Sequence, residues 1–333
     1  MSSESDILQR LRDAGFRIAP DAVLEPLTGG VSSDVFRLET ADGPVCVKRA
    51  LEKLRVAADW RAPVERSGYE VAYLRTVQPF AGGGVPRVLH ADADANLFVM
   101  AFFDPADHSV WKADLAAGRA DAAFAGRVGA LLGAIHAGCA GSDEIAARFA
   151  TTALFEDLRL DPYLRETARR HPDLGPRLTA LADRTAAQRI TLVHGDVSPK
   201  NILHGPDGPV LLDAECAWYG DPAFDVAFCS THLMLKAVWK PAHAEAFLAC
   251  LEAFHAAYLA CVDWEPAADL EARAAELTAA IVLARVDGKS PVEYLQAEAD
   301  RAFVRGAARA MVTAPPAGLA QLRTAWRGAL EGR

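Results

Sequence analysis

Two carboxylates and an amide lie close together in Leu192-Val193-His194-Gly195-Asp196-Val197-Ser198-Pro199-Lys200-Asn201-Ile202-Leu203 and the run after it, Val210-Leu211-Leu212-Asp213-Ala214-Glu215. An apolar strand delivers Asp196 in a His-Gly-Asp turn, Asn201 arrives five residues later, and a second apolar strand delivers Asp213. Neighbouring strand ends can bring these oxygens to one point. Donors of this kind suit magnesium, which keeps several waters and takes few protein ligands. A carboxylate beside such an ion could also orient a hydroxyl nucleophile.

The ordered pattern HGDxxxxN…DxE…GDPxxD is completed by Tyr219-Gly220-Asp221-Pro222-Ala223-Phe224-Asp225. It resembles the aminoglycoside phosphotransferase and choline kinase group, relatives of the protein kinases. The DxE form of the second motif is similar to the methylthioribose kinase branch. The resemblance implies Asp196 as the catalytic aspartate, which takes or orients the proton of an acceptor hydroxyl. It implies Asn201 and Asp213 as ligands of Mg2+ on a nucleoside triphosphate, with Glu215 as a further ligand. His194 would be a structural hub of the loop, and Asp225 would receive backbone N–H groups that brace it. Ser198 stands where protein kinases carry a catalytic-loop Lys; Lys200 either restores that charge or faces solvent.

Such chemistry needs elements that hold a nucleotide. Between strand signals lies Leu27-Thr28-Gly29-Gly30-Val31-Ser32-Ser33. Gly29 and Gly30 let backbone approach phosphates, and Ser32 and Ser33 add hydroxyl donors. Lys48 ends the strand-like run Val45–Lys48 and would neutralise phosphates while a helix carboxylate holds it, Glu70 or, failing that, Glu65. This pair is expected to weigh on rate more than on stability. The connector Val99–Phe103, with Met100 and Phe102, matches the hinge that receives adenine. The implied cofactor is ATP, with GTP not excluded.

The first hundred residues carry strand signals at Val35–Leu38, Val45–Lys48, Val85–His90 and Asn96–Phe102, with a helix over Val64–Val77. Beyond Asp104-Pro105 alanine-rich helical segments dominate: Ala120–Ala137 closed by Gly138, Leu174–Gln188, Phe224–Val238, Ala242–Ala260 and Leu270–Arg285. The expected fold class is α+β, a protein-kinase-like two-lobed fold. An N-terminal antiparallel-sheet lobe (1–103) would bind nucleotide, and a helical C-terminal lobe (104–333) would carry the catalytic loop and acceptor site. Acceptor-site candidates are Trp218, His232, Arg285, Asp287 and Lys289, with Trp239 also within reach.

The chain has 333 residues and a net charge of -9, which leaves no basic surplus for nucleic acid. Six cysteines show no CxxC pair, so metal and redox spacings are absent and buried free thiols are expected. No signal-peptide core opens the sequence, and the apolar run near Leu277–Ala284 is too short to span a bilayer, so a cytoplasmic location is expected. The chain runs within about ten residues of Asp213 into the helix opened by Asp221-Pro222, leaving no platform for a peptide substrate. The partner is therefore expected to be a small-molecule hydroxyl acceptor, a sugar-like or amino-alcohol metabolite. The alternatives are an aminoglycoside-modifying phosphotransferase and a catalytically silent nucleotide-binding scaffold. Oligomeric state is not legible.

Overall fold

Side chains alternate between faces along Gly43–Ala50 and Leu97–Ala101, and the alternation decides what covers each side of the sheet. Val45, Val47, Leu97 and Val99 join a small core with Ile7, Leu11, Leu24, Phe36 and Leu38. Cys46, Phe98 and Met100 point the other way, into the large core shared with the helices. Lys48 is two residues beyond Cys46 on that same side, opposite Phe98 in the ladder.

The computed structural model describes residues 4–27, 33–51 and 63–333. Of the expected phosphate loop, Gly29, Gly30 and Ser32 lie outside them; Ser33 opens the second strand. Strands β1 (Glu25–Pro26), β2 (Ser33–Thr40), β3 (Gly43–Ala50), β4 (Val88–Asp92) and β5 (Leu97–Ala101) form an antiparallel sheet in the order β1-β2-β3-β5-β4. Helix α1 (Glu4–Asp13) covers one face, through Ile7 and Leu11. On the other side, α2 (Arg66–Val77) buries Arg66, Glu70, Tyr73, Leu74 and Val77, one stripe at helical spacing.

The remainder is mostly helical: α3 (Trp111–Ala116) after the short β6 (Ser109–Val110), then α4 (Ala122–Cys139), α5 (Asp143–Arg148) and α6 (Thr152–Phe155). A π-helix, Glu156–Arg165, precedes α7 (Glu166–Arg170) and α8 (Gly175–Ala187). The motif-bearing island is β7 (Thr191–Val193), a 3-10 turn (Pro199–Asn201), β8 (Ile202–Gly205), β9 (Gly208–Leu211) and β10 (Trp218–Gly220). Helices α9 (Ala223–Trp239), α10 (Ala244–Leu259), α11 (Ala267–Asp287), α12 (Glu298–Thr313) and α13 (Leu319–Glu331) complete the chain.

Helix α4 is long and apolar enough to cross a membrane by length and composition, yet here it is a core helix. A Cβ on its Gly129 would lie 2.2 Å from the Phe254 carbonyl oxygen, so glycine is what lets α10 approach this closely. Gly138 does not close α4, which runs on to Cys139; the ring of Phe80 packs over it, 2.4 Å from where a Cβ would sit. All six cysteines are unpaired thiols, and all but Cys261 are buried.

Candidate active site

Loop 194–201 is held in shape mainly by one buried carboxylate. Asp225, in the first turn of α9 and fully buried, accepts from the N–H groups of His194 at 2.7 Å and Gly195 at 2.8 Å. His136 Nε2 lies 3.3 Å away on the same carboxylate, and its Nδ1 is 2.8 Å from the Tyr258 hydroxyl. Gly195 has φ +78°, and a Cβ there would meet the Cys216 carbonyl oxygen at 2.8 Å, so the turn that presents Asp196 admits only glycine without strain. Burial pushes the His194 pKa down despite the carboxylates around it. As a neutral ring it donates from Nε2 to the Leu212 carbonyl at 3.1 Å and accepts the Asp196 N–H on Nδ1 at 3.2 Å. It thus couples the Asp196 turn to the residue before Asp213.

The two chemical strands are also tied directly. Asn201 Nδ2 donates to the Asp196 carbonyl at 3.1 Å, which directs its Oδ1 away from that bond. Leu212 N–H donates to the Asn201 carbonyl at 2.8 Å. Asp213 itself stands at φ 68°, a left-handed conformation rare outside glycine and common at functional turns.

Lys48 reaches across to this group from the sheet. Its Nζ lies 2.8 and 2.7 Å from the two Glu70 oxygens and 2.5 Å from Asp213 Oδ1. Glu65, at the start of α2, is exposed; Glu70 is the partner. Burial works against the Lys48 charge, but Asp213 and Glu70 outweigh it and hold the ammonium protonated. Asp213 is held well below the usual carboxylate range: Lys48 and Lys200 overcome its desolvation. One turn before Glu70, Arg66 donates from Nε to Glu215 Oε2 at 2.9 Å and from Nη2 to the Leu51 carbonyl at 2.6 Å. Glu215 is therefore engaged by a buried guanidinium and ties α2 to the Asp213 turn.

Asp196 is buried and faces two cations, Lys200 Nζ at 3.0 Å and Arg159 Nη2 at 3.2 Å. Burial alone would raise its pKa; Lys200 and Arg159 reverse that and hold it below the ordinary value. Lys200, half-exposed, brings its ammonium to Asp196 at the mouth of the loop's buried side. Arg159, absent from the sequence-based expectations, comes from the π-helix and also donates from Nε to the Gly195 carbonyl. A π-helical segment commonly marks a functional position, and here it aims one guanidinium at the turn that carries Asp196. The only prior signal is a charged residue within Leu158-Arg159-Leu160. The Ser198 hydroxyl is buried without a hydrogen-bond partner among the described residues.

The remaining candidates separate. Met100 lies in β5 paired with Cys46, and Phe102 follows the strand, partly buried beneath the Arg37 guanidinium at 5.5 Å. Trp218 is a core residue: fully buried, it stacks on Phe155 at 4.2 Å and donates to Thr152 at 3.3 Å. Asp287 is taken up by Arg305 at 2.6 and 2.8 Å and by His171 at 3.0 Å, so it pins α12 and α7 and does not present its carboxylate to a ligand. Lys289 is exposed, and its N–H closes the π-helix at the Pro162 carbonyl, 2.9 Å away. His232 and Arg285 remain. His232 is edge-on to Phe228 at 5.5 Å, and Arg285 lies over Tyr163 at 5.6 Å.

Residues 23–270 match the family model described as "Phosphotransferase enzyme family". A methylthioribose kinase of Yersinia enterocolitica is 28% identical over 230 residues, covering 61% of this chain and 57% of the relative. One from Yersinia pseudotuberculosis is 25% identical over 262 residues, covering 70% and 64%. The chain thus spans less than two thirds of the length of these curated relatives. Among solved structures, an amicoumacin kinase in complex with AMP-PNP, Ca2+ and Ami is 16% identical with TM-score 0.58, covering 95% of this chain and 97% of that one. A Plasmodium vivax ethanolamine kinase is 10% identical with TM-score 0.55, covering 97% and 86%. A macrolide 2'-phosphotransferase from Brachybacterium faecium is 17% identical with TM-score 0.53, covering 98% of each. At these identities the likeness is one of fold, and it agrees with the protein-kinase-like α+β architecture expected from the sequence. With the family model spanning most of the chain, from β1 to the start of α11, the chain belongs to the phosphotransferase enzyme family.

Proposed function

We propose that this chain is an ATP-dependent small-molecule kinase that transfers the γ-phosphoryl group to a hydroxyl of a sugar-like or amino-alcohol metabolite, with Mg2+ and with Asp196 as the catalytic aspartate. The observation that carries the reading is the web of ties among these residues: Asn201 bonds the Asp196 carbonyl, Lys48 bonds Asp213 and Glu70, and Lys200 acts on both Asp196 and Asp213. Phosphoryl transfer asks a protein mainly for alignment and for charge opposite the phosphoryl oxygens.

The chain's own groups have parts to match. Asp196, kept ionised by Lys200 and Arg159, accepts or orients the proton of the acceptor hydroxyl. Lys200, beside Asp196 and under the field of Asp213, puts a cation where protein kinases use a lysine two residues earlier. Lys48 is set to neutralise nucleotide phosphates, with Glu70 limiting its motion. Asn201 Oδ1 and Asp213 offer hard oxygen donors in the small number that magnesium accepts. When bound, Mg2+ neutralises triphosphate charge. The adenine side would rest on backbone between Met100 and Phe102, which discriminates poorly between ATP and GTP through side chains.

The methylthioribose kinases among the relatives put a thioribose first among acceptors to try. The test is incubation of the purified chain with Mg-ATP and a panel of hydroxyl compounds, including methylthioribose, amino alcohols, aminoglycosides and homoserine, with products read by mass. A phosphorylated product formed together with ADP is expected. Nucleotide binding with no turnover on any acceptor, and none by hydrolysis, would favour the scaffold reading instead.

A further inference from the structure

Two buried cations, Lys236 and Arg285, form no ion pair with a carboxylate among the described residues. Lys236 on α9 is 1% exposed, and its ammonium sits over the rings of Tyr294 at 4.5 Å and Trp239 at 5.2 Å. Arg285 on α11 is 8% exposed; it donates to the Ser290 carbonyl and lies 3.3 Å from the Tyr163 hydroxyl, and its Nε is buried with no partner. The Tyr294 hydroxyl is likewise buried and unpartnered. Enclosing an uncompensated charge is costly, and aromatic faces offset only part of it.

Both cations act on His232, and so does Lys200, which meets Asp196 at 3.0 Å. Asp196 meets Arg159 at 3.2 Å, and the Arg159 guanidinium lies over Phe228 at 5.8 Å. Phe228 meets Tyr163 edge-on at 5.6 Å and His232 at 5.5 Å, and Arg285 covers the Tyr163 ring. His232 feels Arg285, Lys236, Lys200 and Lys112 together and, buried among them, is kept neutral. Two nearby carboxylates are already engaged, Glu293 by Lys112 at 2.5 Å and Asp287 by Arg305. The field around His232 is therefore positive; neither Lys236 nor Arg285 is in an ion pair among the described residues, and Glu293 acts on Lys236 only at a distance.

We infer that the acceptor carries an anionic group, a carboxylate or a phosphate monoester, bound by Lys236 and Arg285 while its hydroxyl faces Asp196. The inference rests on the kinase reading and narrows its substrate class. It sets this chain apart from kinases of cationic amino alcohols or aminoglycosides, whose ammonium groups this cluster repels, and it ranks a neutral thioribose below an acidic sugar.

Burial, with Lys112 nearby, brings the Lys236 pKa down to about 8. The groups facing it are Lys112 from α3, Glu293 from the segment after α11, and Lys240 and His232 from its own helix, besides the two rings. Anion affinity is accordingly expected to weaken as pH rises through about 8, where Lys236 loses its proton.

The test compares D-ribose, D-ribonate, D-ribose 5-phosphate, methylthioribose, choline and kanamycin as acceptors with Mg-ATP. Alongside, melting of the AMP-PNP–Mg complex is followed with added acetate or inorganic phosphate at constant ionic strength. Expected are a KM about 10- to 100-fold lower for an anionic member than for ribose, loss of that advantage in Lys236→Met and in Arg285→Met, and a rise in melting temperature with one of the two anions. Lys236→Met should melt no lower than the parent, because it removes a buried unpaired charge. Preference between ribonate and ribose 5-phosphate tells carboxylate from phosphate. Faster turnover of ribose, methylthioribose, choline or kanamycin, or an anionic KM unmoved in both variants, overturns the anionic acceptor and leaves the kinase reading standing. No product from any acceptor, with no anion-dependent shift in melting, overturns both.

Discussion

At the scale of single residues, Lys48 answers to two carboxylates from different parts of the chain, Glu70 and Asp213. Lys48→Ala is expected to raise the KM for ATP and lower turnover by about 10²-fold, the order seen when a charge facing transition-state oxygens is removed. It should also cost about 3 kcal/mol of stability, because it strands Glu70, 2% exposed, without its counter-charge. Burial of both partners is the reason to expect an effect on the fold beside the effect on rate. Chemical denaturation beside steady-state kinetics checks both; an unaltered ATP requirement would remove Lys48 from the nucleotide site. Asp196 behaves differently with pH. Its pKa is depressed, so its ionised form and the stability tied to it are present above the unfolded value near 3.9 and are lost only below that, as pH falls through the folded one. Turnover should therefore show no acid limb from Asp196 between about pH 8 and 5. Lys200→Met should move that limb upward, and a pH–rate profile reads it directly.

At the scale of elements, the loop proposed to be catalytic is held in shape by its neighbours, Asp225 above all. Gly195→Ala forces a side chain into a left-handed position and against Cys216, and should cost about 1–3 kcal/mol together with a drop in turnover out of proportion to any change in KM. Parent-like turnover in this variant would show that the turn is not what places Asp196. Local sequence revealed this loop well, since Asp196, Asn201 and Asp213 lie on consecutive strands and turns whose periodicity and spacing are visible in one stretch. Arg159 was not visible, because its bond to Gly195 spans 36 positions and depends on a π-helix that no hydrophobic period announces. Arg66 escaped for the same reason: its bond to Glu215 spans 149 positions. Trp218 and Asp287 were misplaced because residue type and proximity in sequence do not say which way a side chain leaves its element. A buried β10 ring and an α12 arginine engage those two.

At the scale of the molecule, the sheet and the helices share apolar packing. Cys46, Phe98 and Met100 of the sheet belong to one core with Trp111, Phe124, Leu192 and Phe224, while only the α1 side of the sheet keeps a core of its own. A shared core predicts one cooperative unfolding transition by calorimetry, moved upward by Mg-ATP through preferential binding to the native state. Two resolved transitions would mean that sheet and helices unfold independently. The two-part pattern was legible in sequence from the shift between strand and alanine-rich helical periodicity. The continuity of the core was not, because it depends on which strand face α2 and the helices cover.

The most direct check on the account is single-turnover transfer from Mg-ATP to the acceptor found in the panel, measured for the parent chain and for Asp196→Asn. The substitution keeps the side-chain shape and removes the proton-accepting charge. The account predicts a fall of about 10²- to 10⁴-fold with AMP-PNP binding retained. Equal transfer rates in the two proteins would contradict it.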